Sequence, residues 1–204
     1  MAGPEGVLAE ARVETAEGHS RWLLPAVSAL LQGLALDART VDVFAVTTGP
    51  GSFTGLRVGL GSVQGLALAS GRPCVGLSTL DVLAASAAGS SGTIVALVDA
   101  FRGEVYSGVY DAAGGLRGDR IVGSLASVLE AVPAGSAFVG DVAVTGRDAI
   151  ARAVPGATFP QWPRFLAPVL AARALALAAS GATLSPADLR PLYLRAADIR
   201  PSRP

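Results

Sequence analysis

The chain has 204 residues, 51% apolar and 16% charged, with a formal net charge of zero. That balance provides material for a sizeable core, excludes intrinsic disorder, and argues against a chain that grips nucleic acid by itself. All 16 basic residues are Arg, and the single Cys74 and single His19 exclude an internal disulfide and a Cys/His zinc site.

In chain order, residues 7–14 alternate loosely and predict a strand. G-H-S at 18–20 opens a helix to about Gly33, with Ser20 its natural N-cap. The β-branched run 41–48 predicts a strand buried on both faces. A glycine-rich turn and a helix over about 54–70 follow, then a short strand at 73–77 and a helix opened by S-T-L-D at 78–81. G-S-S-G at 89–92 is the best linker. Beyond it, 93–100 and 103–110 read as a hairpin around Phe101-Arg102, and 117–123 as a third strand. Helices at 124–132, 143–153 and 166–180 surround a strand at 136–140, and the Pro-rich tail from Ser185 reads as extended or irregular. Two α/β units split near residue 90 are expected. There is no signal-peptide pattern and no run of roughly 18 uncharged apolar residues, so the chain reads as soluble and cytoplasmic.

The stretch T-T-G-P-G-S-F-T-G-L-R-V-G-L-G-S-V-Q-G (47–65) asks for explanation. It is not a phosphate-binding loop of the lysine type, because the spacing and the Lys are absent. It is not a nucleophile elbow, because Pro50 and Thr54 stand where glycines are needed around Ser52. Two readings remain. In one, Gly49 and Gly51 supply positive φ and Ser52 or Thr54 caps the helix; in the other, the free N–H groups of the helix start hold an anion. In the helix itself each interior glycine costs about 1 kcal/mol against Ala. Gly55 and Gly59 share one face, and so do Gly61 and Gly65, which suggests close packing. The preceding helix, W-L-L-P-A-V-S-A-L-L (22–31), is apolar on more than one face, so the pair is expected to meet a partner.

Four blocks occur in order: H-S-R-W-L-L-P (19–25), G-P-G-S-F-T-G-L-R-V-G (49–59) with Q-G-L-A (64–67), V-D-A-F-R-G-E-V-Y (98–106), and P-L-Y-L-R (191–195). Together they resemble the TsaB (YeaZ) family over nearly the whole chain. The resemblance implies an α/β chain of the actin-like ATPase (ASKHA) fold, with two ribonuclease-H-like lobes over 1–91 and 92–204. It implies a non-catalytic, degenerate relative of the threonylcarbamoyltransferase TsaD. Such a protein binds and supports a TsaD-like protein, recruits the ATPase TsaE, forms a homodimer in isolation and touches tRNA only indirectly. No cofactor, metal or membrane is implied. The contacts use the first two helices, here about 20–34 and 54–69. The expected interface residues are His19, Trp22, Leu23, Ala26, Val27 and Leu30, with Val58, Gly59, Ser62, Gly65 and Leu66. Gly49, Gly51, Ser52, Thr54 and Gly55 form the candidate anion or nucleotide loop.

Other readings of single residues stay in view. Asp99 or Glu104 could be a catalytic carboxylate, although an ion pair with Arg102 at the hairpin is the plainer reading. Cys74 reads as a buried small hydrophobe. The alternatives for the whole chain are an ATP-binding phosphotransferase or ATPase of the same fold, and a glycoprotease-like peptidase. The family normally begins with a strand and turn that have no counterpart before A-G-P-E-G (2–6). A first lobe truncated at its N-terminus is therefore expected, with unpaired strand edges and a thinly covered core.

Overall fold

Three separate pieces of sheet organise the chain in the computed structural model, which describes residues 1–13, 19–90 and 92–195. The first is a hairpin of β1 (Ala2–Gly3) and β2 (Gly6–Val7). The strand expected over 7–14 ends at Val7, and 8–13 are irregular; residue 14 lies outside the described residues. The local hydrogen bonds close on the chain start instead of a ladder. Leu8 N–H donates to the Met1 carbonyl at 3.0 Å, and the Met1 ammonium donates to the Ala9 carbonyl at 2.6 Å.

Helix α1 (Leu23–Gly33) follows a 3-10 turn over His19–Arg21. Ser20 is not its cap, as the sequence suggested. Ser20 lies within the 3-10 turn, and Trp22 takes the N-cap position without a side-chain bond. Pro25 sits in the first helical turn, where its missing N–H leaves no gap in the ladder. β3 (Phe44–Gly49) then pairs in parallel with β4 (Cys74–Ser78), and α2 (Phe53–Ser70) is the crossover between them. β3 is half-buried from Phe44 to Thr48, where burial on both faces was expected. Among the described residues β4 is its only strand partner.

α3 (Thr79–Ser86) is capped by Ser78, whose hydroxyl accepts from Leu80 N–H at 3.2 Å. The hairpin appears as read: β5 (Ile94–Asp99) and β6 (Glu104–Tyr110) are antiparallel. β7 (Ile121–Ser124) pairs with β6, α4 (Leu125–Glu130) follows, and β8 (Ala137–Val139) lies parallel to β5, giving the order β7-β6-β5-β8. The single helix expected over 143–153 is two, α5 (Asp141–Thr145) and α6 (Arg147–Ala153). Gly146 divides them, ending one and starting the next. α7 (Ala167–Ala179) packs back against β3 and β4, and a 3-10 turn over Pro186–Asp188 precedes the tail.

The core is concentrated on the four-stranded sheet. One face buries Val95, Leu97, Phe138 and Ile150; the other buries Ile94, Ala96, Tyr110 and Val139 with Leu80, Leu83 and Ala84 of α3. A polar tie reinforces the second face. Arg120 donates to both carboxylate oxygens of Asp81 at 2.6 and 2.7 Å, and Tyr110 Oη donates to Asp81 Oδ1 at 2.8 Å. Burial pushes the Tyr110 phenol well above its ordinary pKa, with the Asp81 bond and charge adding to the shift. The β3–β4 sheet has a smaller cluster of Leu60, Ala67, Cys74 and Leu189.

Candidate functional site

The β3 strand ends at Gly49, whose φ of 115° is left-handed. A Cβ there would lie 3.0 Å from the Leu192 carbonyl oxygen, so both the turn and the close approach require glycine. Gly51 does not have the positive φ expected of it; the reversal is made at Gly49, and Gly51 leads into the helix cap. Ser52 is that cap, its hydroxyl accepting from Gly55 N–H at 3.3 Å, and Thr54 lies inside α2.

This turn forms one wall of a cleft of about 360 Å³ between the two sheets. Val46, Thr47, Pro50, Gly51, Ser52, Gly55, Leu56 and Gly59 line one side; Thr79, Leu83, Val98, Asp141, Trp162, Arg164 and Leu166 line the rest. Of the expected loop residues, Gly51, Ser52 and Gly55 line the cleft. The far wall was missed because its residues come from four separate segments that no local pattern brings together. Asp141 Oδ1 there accepts from Asp99 N–H at 3.1 Å and from Val142 N–H at 2.8 Å, which fixes it as the start of α5. Gly140 before it has φ 110°, and a Cβ would overlap the Leu97 carbonyl.

The hairpin residues are structurally engaged. Asp99 Oδ1 accepts from Phe101 N–H at 2.8 Å, and Glu104 pairs with Arg195. Phe101 and Arg102 both have left-handed φ, of 59° and 57°. Cys74 is fully buried, and burial pushes its thiol pKa up, away from a reactive thiolate. Among the described residues, no group of three or more His, Cys, Asp or Glu side chains comes together as a metal site.

The helix pair has a different character. α1 is largely apolar, yet none of its residues is buried. Leu23, Ala26, Val27 and Leu30 form its half-buried stripe, while Trp22 and Leu24 are 46% and 48% exposed. On α2, Val58, Ser62 and Leu66 are half-buried. The two glycine rows do different things. A Cβ on Gly59 would meet Val46 Cγ2 at 3.4 Å, so Gly59, expected in the outer interface, packs toward β3. Gly61 and Gly65 are exposed and would meet nothing within 4 Å. Phe53, Arg57, Gly61 and Gly65 form one exposed row at i, i+4 spacing. At its N-terminal end the Arg57 guanidinium lies 3.9 Å over the Phe53 ring, and Tyr193 stands 6.3 Å from Phe53. His19 lies in the 3-10 turn that precedes this pair.

A family model described as tRNA N6-adenosine threonylcarbamoyltransferase (TsaD) matches residues 7–158. The chain is 39% identical over 94 residues to the Escherichia coli protein named tRNA threonylcarbamoyladenosine biosynthesis protein TsaB, and 36% over 110 residues to that of Bacillus subtilis. The chain belongs to the TsaB (YeaZ) family. The matches cover 45% and 54% of this chain and span less than half of each curated relative, 41% and 48%. A Mycobacterium tuberculosis protein named only as uncharacterized is 33% identical over 195 residues, covering 96% of this chain and 83% of its own. The solved structure of YeaZ from Pseudomonas aeruginosa is similar with a TM-score of 0.71 and 33% identity, over 86% of this chain and 84% of that one. The fold is thus a mixed α/β arrangement of the kind seen in YeaZ and in TsaD-type domains. Among its described residues no helix is long and apolar enough to cross a membrane.

Proposed function

We propose that this chain is a non-catalytic subunit of the threonylcarbamoyladenosine machinery, docking through α1 and α2 on a TsaD-like transferase and supporting TsaE. In isolation the same helices join two copies of the chain, and tRNA is reached only through the partner. One observation carries the reading: an apolar helix with no buried residue lies beside a helix whose outer glycines face open space. Water-facing glycine in a helix interior lowers stability, and a second backbone lying close against it is the physical reason to keep it. The buried Cys74 thiol and the backbone N–H groups already bonded to the Ser52, Asp99 and Asp141 side chains support a chain that does no chemistry of its own. The actin-like, two-lobed reading is supported by the cleft between the sheets.

The test is threonylcarbamoyl transfer to tRNA by a TsaD-like enzyme with TsaE, with and without this chain. Stimulation by the native chain that falls at least about ten-fold in Gly61→Leu or Gly65→Leu is expected. Full stimulation by both variants would remove α2's outer row from the interface, and no stimulation by the native chain would overturn the subunit role.

A further inference from the structure

We propose that residues 184–195 are a strap that ties the β3–β4 half to the four-stranded half and sets the opening of the cleft between them. The strap begins on the first sheet. Cys74 N–H donates to the Leu184 carbonyl at 2.8 Å, and Leu184 N–H returns the bond to Cys74 at 2.7 Å. α2 then holds it from above: the Gln64 side-chain amide donates to the Pro186 and Leu189 carbonyls, both at 3.1 Å. Leu189 is 1% exposed and fills the first-half core against Gly76, where a Cβ would lie 2.7 Å from Leu189 Cδ1. Leu192 N–H donates to the Thr48 carbonyl at 2.8 Å, beside the turn that walls the cleft. Tyr193 sets its ring by Phe53 at the start of α2.

The next two residues change sides. Leu194 packs against the Leu80–Ile94–Tyr110 core, and Arg195 pairs with Glu104 on β6. Within four residues, therefore, the chain is fixed to the last turn of β3 and to the second sheet. The cleft has Pro50, Gly51 and Ser52 on one wall and Val98 and Asp141 on the other. Widening it would draw Thr48 away from Glu104, and the strap is short enough that its contacts at one end must break first. The two crossing points differ in kind. Leu194 is an apolar anchor, whereas the Arg195–Glu104 pair is 28% and 44% exposed by side chain, so salt and substitution reach it readily. The strap also couples cleft opening to the exposed end of α2, because Tyr193 lies between the Thr48 bond and the Leu194 anchor.

Amide hydrogen exchange on the full chain tests this, comparing the native protein with Arg195→Glu, Leu194→Ala and the swapped pair Glu104→Arg with Arg195→Glu. Exchange about five- to ten-fold faster over 50–56 and 141–142, with β8 amides unchanged, is expected for the two single-site variants. Return to native rates is expected for the swapped pair. Unchanged exchange at the cleft walls in Leu194→Ala and Arg195→Glu would overturn the strap. So would acceleration spread evenly through β8, which would mark a general loss of stability. Neither readout involves a partner protein, so the result is independent of the docking surface.

Discussion

The two halves of this molecule cover their apolar residues very differently. In the second sheet Ile94 to Leu97 and the whole of β8 are buried, with helices on both faces. In the first, β3 is half-buried for five of its six residues, and α1 has no buried residue at all. Apolar patterning reports what a segment is able to cover; burial reports what is there to cover it. The gap between the two is wide at α1 and β3, where the chain has little of its own to cover the apolar residues.

The largest expected effect comes from the well-covered half. Phe138→Ala should lower stability by about 3–5 kcal/mol in urea denaturation, because a fully buried ring is replaced by a cavity between β8, α5 and α6. Phe44→Ala on β3 should lower it by less than about 2 kcal/mol, since a half-buried ring loses less transfer energy and its site remains open to water. Equal losses at the two positions would erase the contrast.

Next in size is the tie between α3 and β6. Asp81→Ala should cost about 2–4 kcal/mol, because it leaves the Arg120 guanidinium and the Tyr110 hydroxyl partly buried without their acceptor. Asp81→Ala with Arg120→Leu should recover part of that loss by removing the stranded charge. A single variant as stable as the native chain would show that the tie is not holding the second core together.

Much of this was legible in the sequence. The β5–β6 hairpin, the strand–turn–helix at 44–70 and the burial of Cys74 follow from local alternation, turn chemistry and β-branched runs. The misses have one cause each. Ser20 looked like a cap, but the residues before α1 form a tighter turn that moves the cap to Trp22. Gly146 broke a helix whose apolar spacing runs through it. The far wall of the cleft, from Thr79 to Leu166, is assembled from distant segments, and no local pattern can bring them together. The two glycine rows were recognised, but their assignment inward and outward depends on how α2 rolls on β3, which only Val46 against Gly59 reveals.

A smaller effect is expected at alkaline pH. Tyr110 is held neutral in the fold, so its folded pKa lies above that of the unfolded chain. The unfolded phenol ionises near pH 10. The stabilisation is therefore fully present below about pH 10 and is lost as pH rises toward the folded value. Stability measured by urea unfolding between pH 8 and 11 should fall at the alkaline end, and Tyr110→Phe should flatten that fall. An alkaline slope unchanged in Tyr110→Phe would assign it to other groups.

The smallest expected change has the opposite sign. Gly61 and Gly65 have helical backbone, sit in helix interior positions and face open space. Gly65→Ala should therefore raise stability by about 0.5–1 kcal/mol, by restricting the unfolded chain and favouring the helix. In Gly59→Ala part of that gain should be offset, because the new methyl meets Val46 at 3.4 Å. If the outer glycines are kept for a partner's backbone, Gly65→Ala should stabilise the isolated chain while weakening its stimulation of the transferase. A variant that is both more stable and fully active would leave the outer glycines without a role. One that is less stable would mean that α2 is held from outside even in the isolated chain, and the contrast between the halves would then be one of neighbours already present.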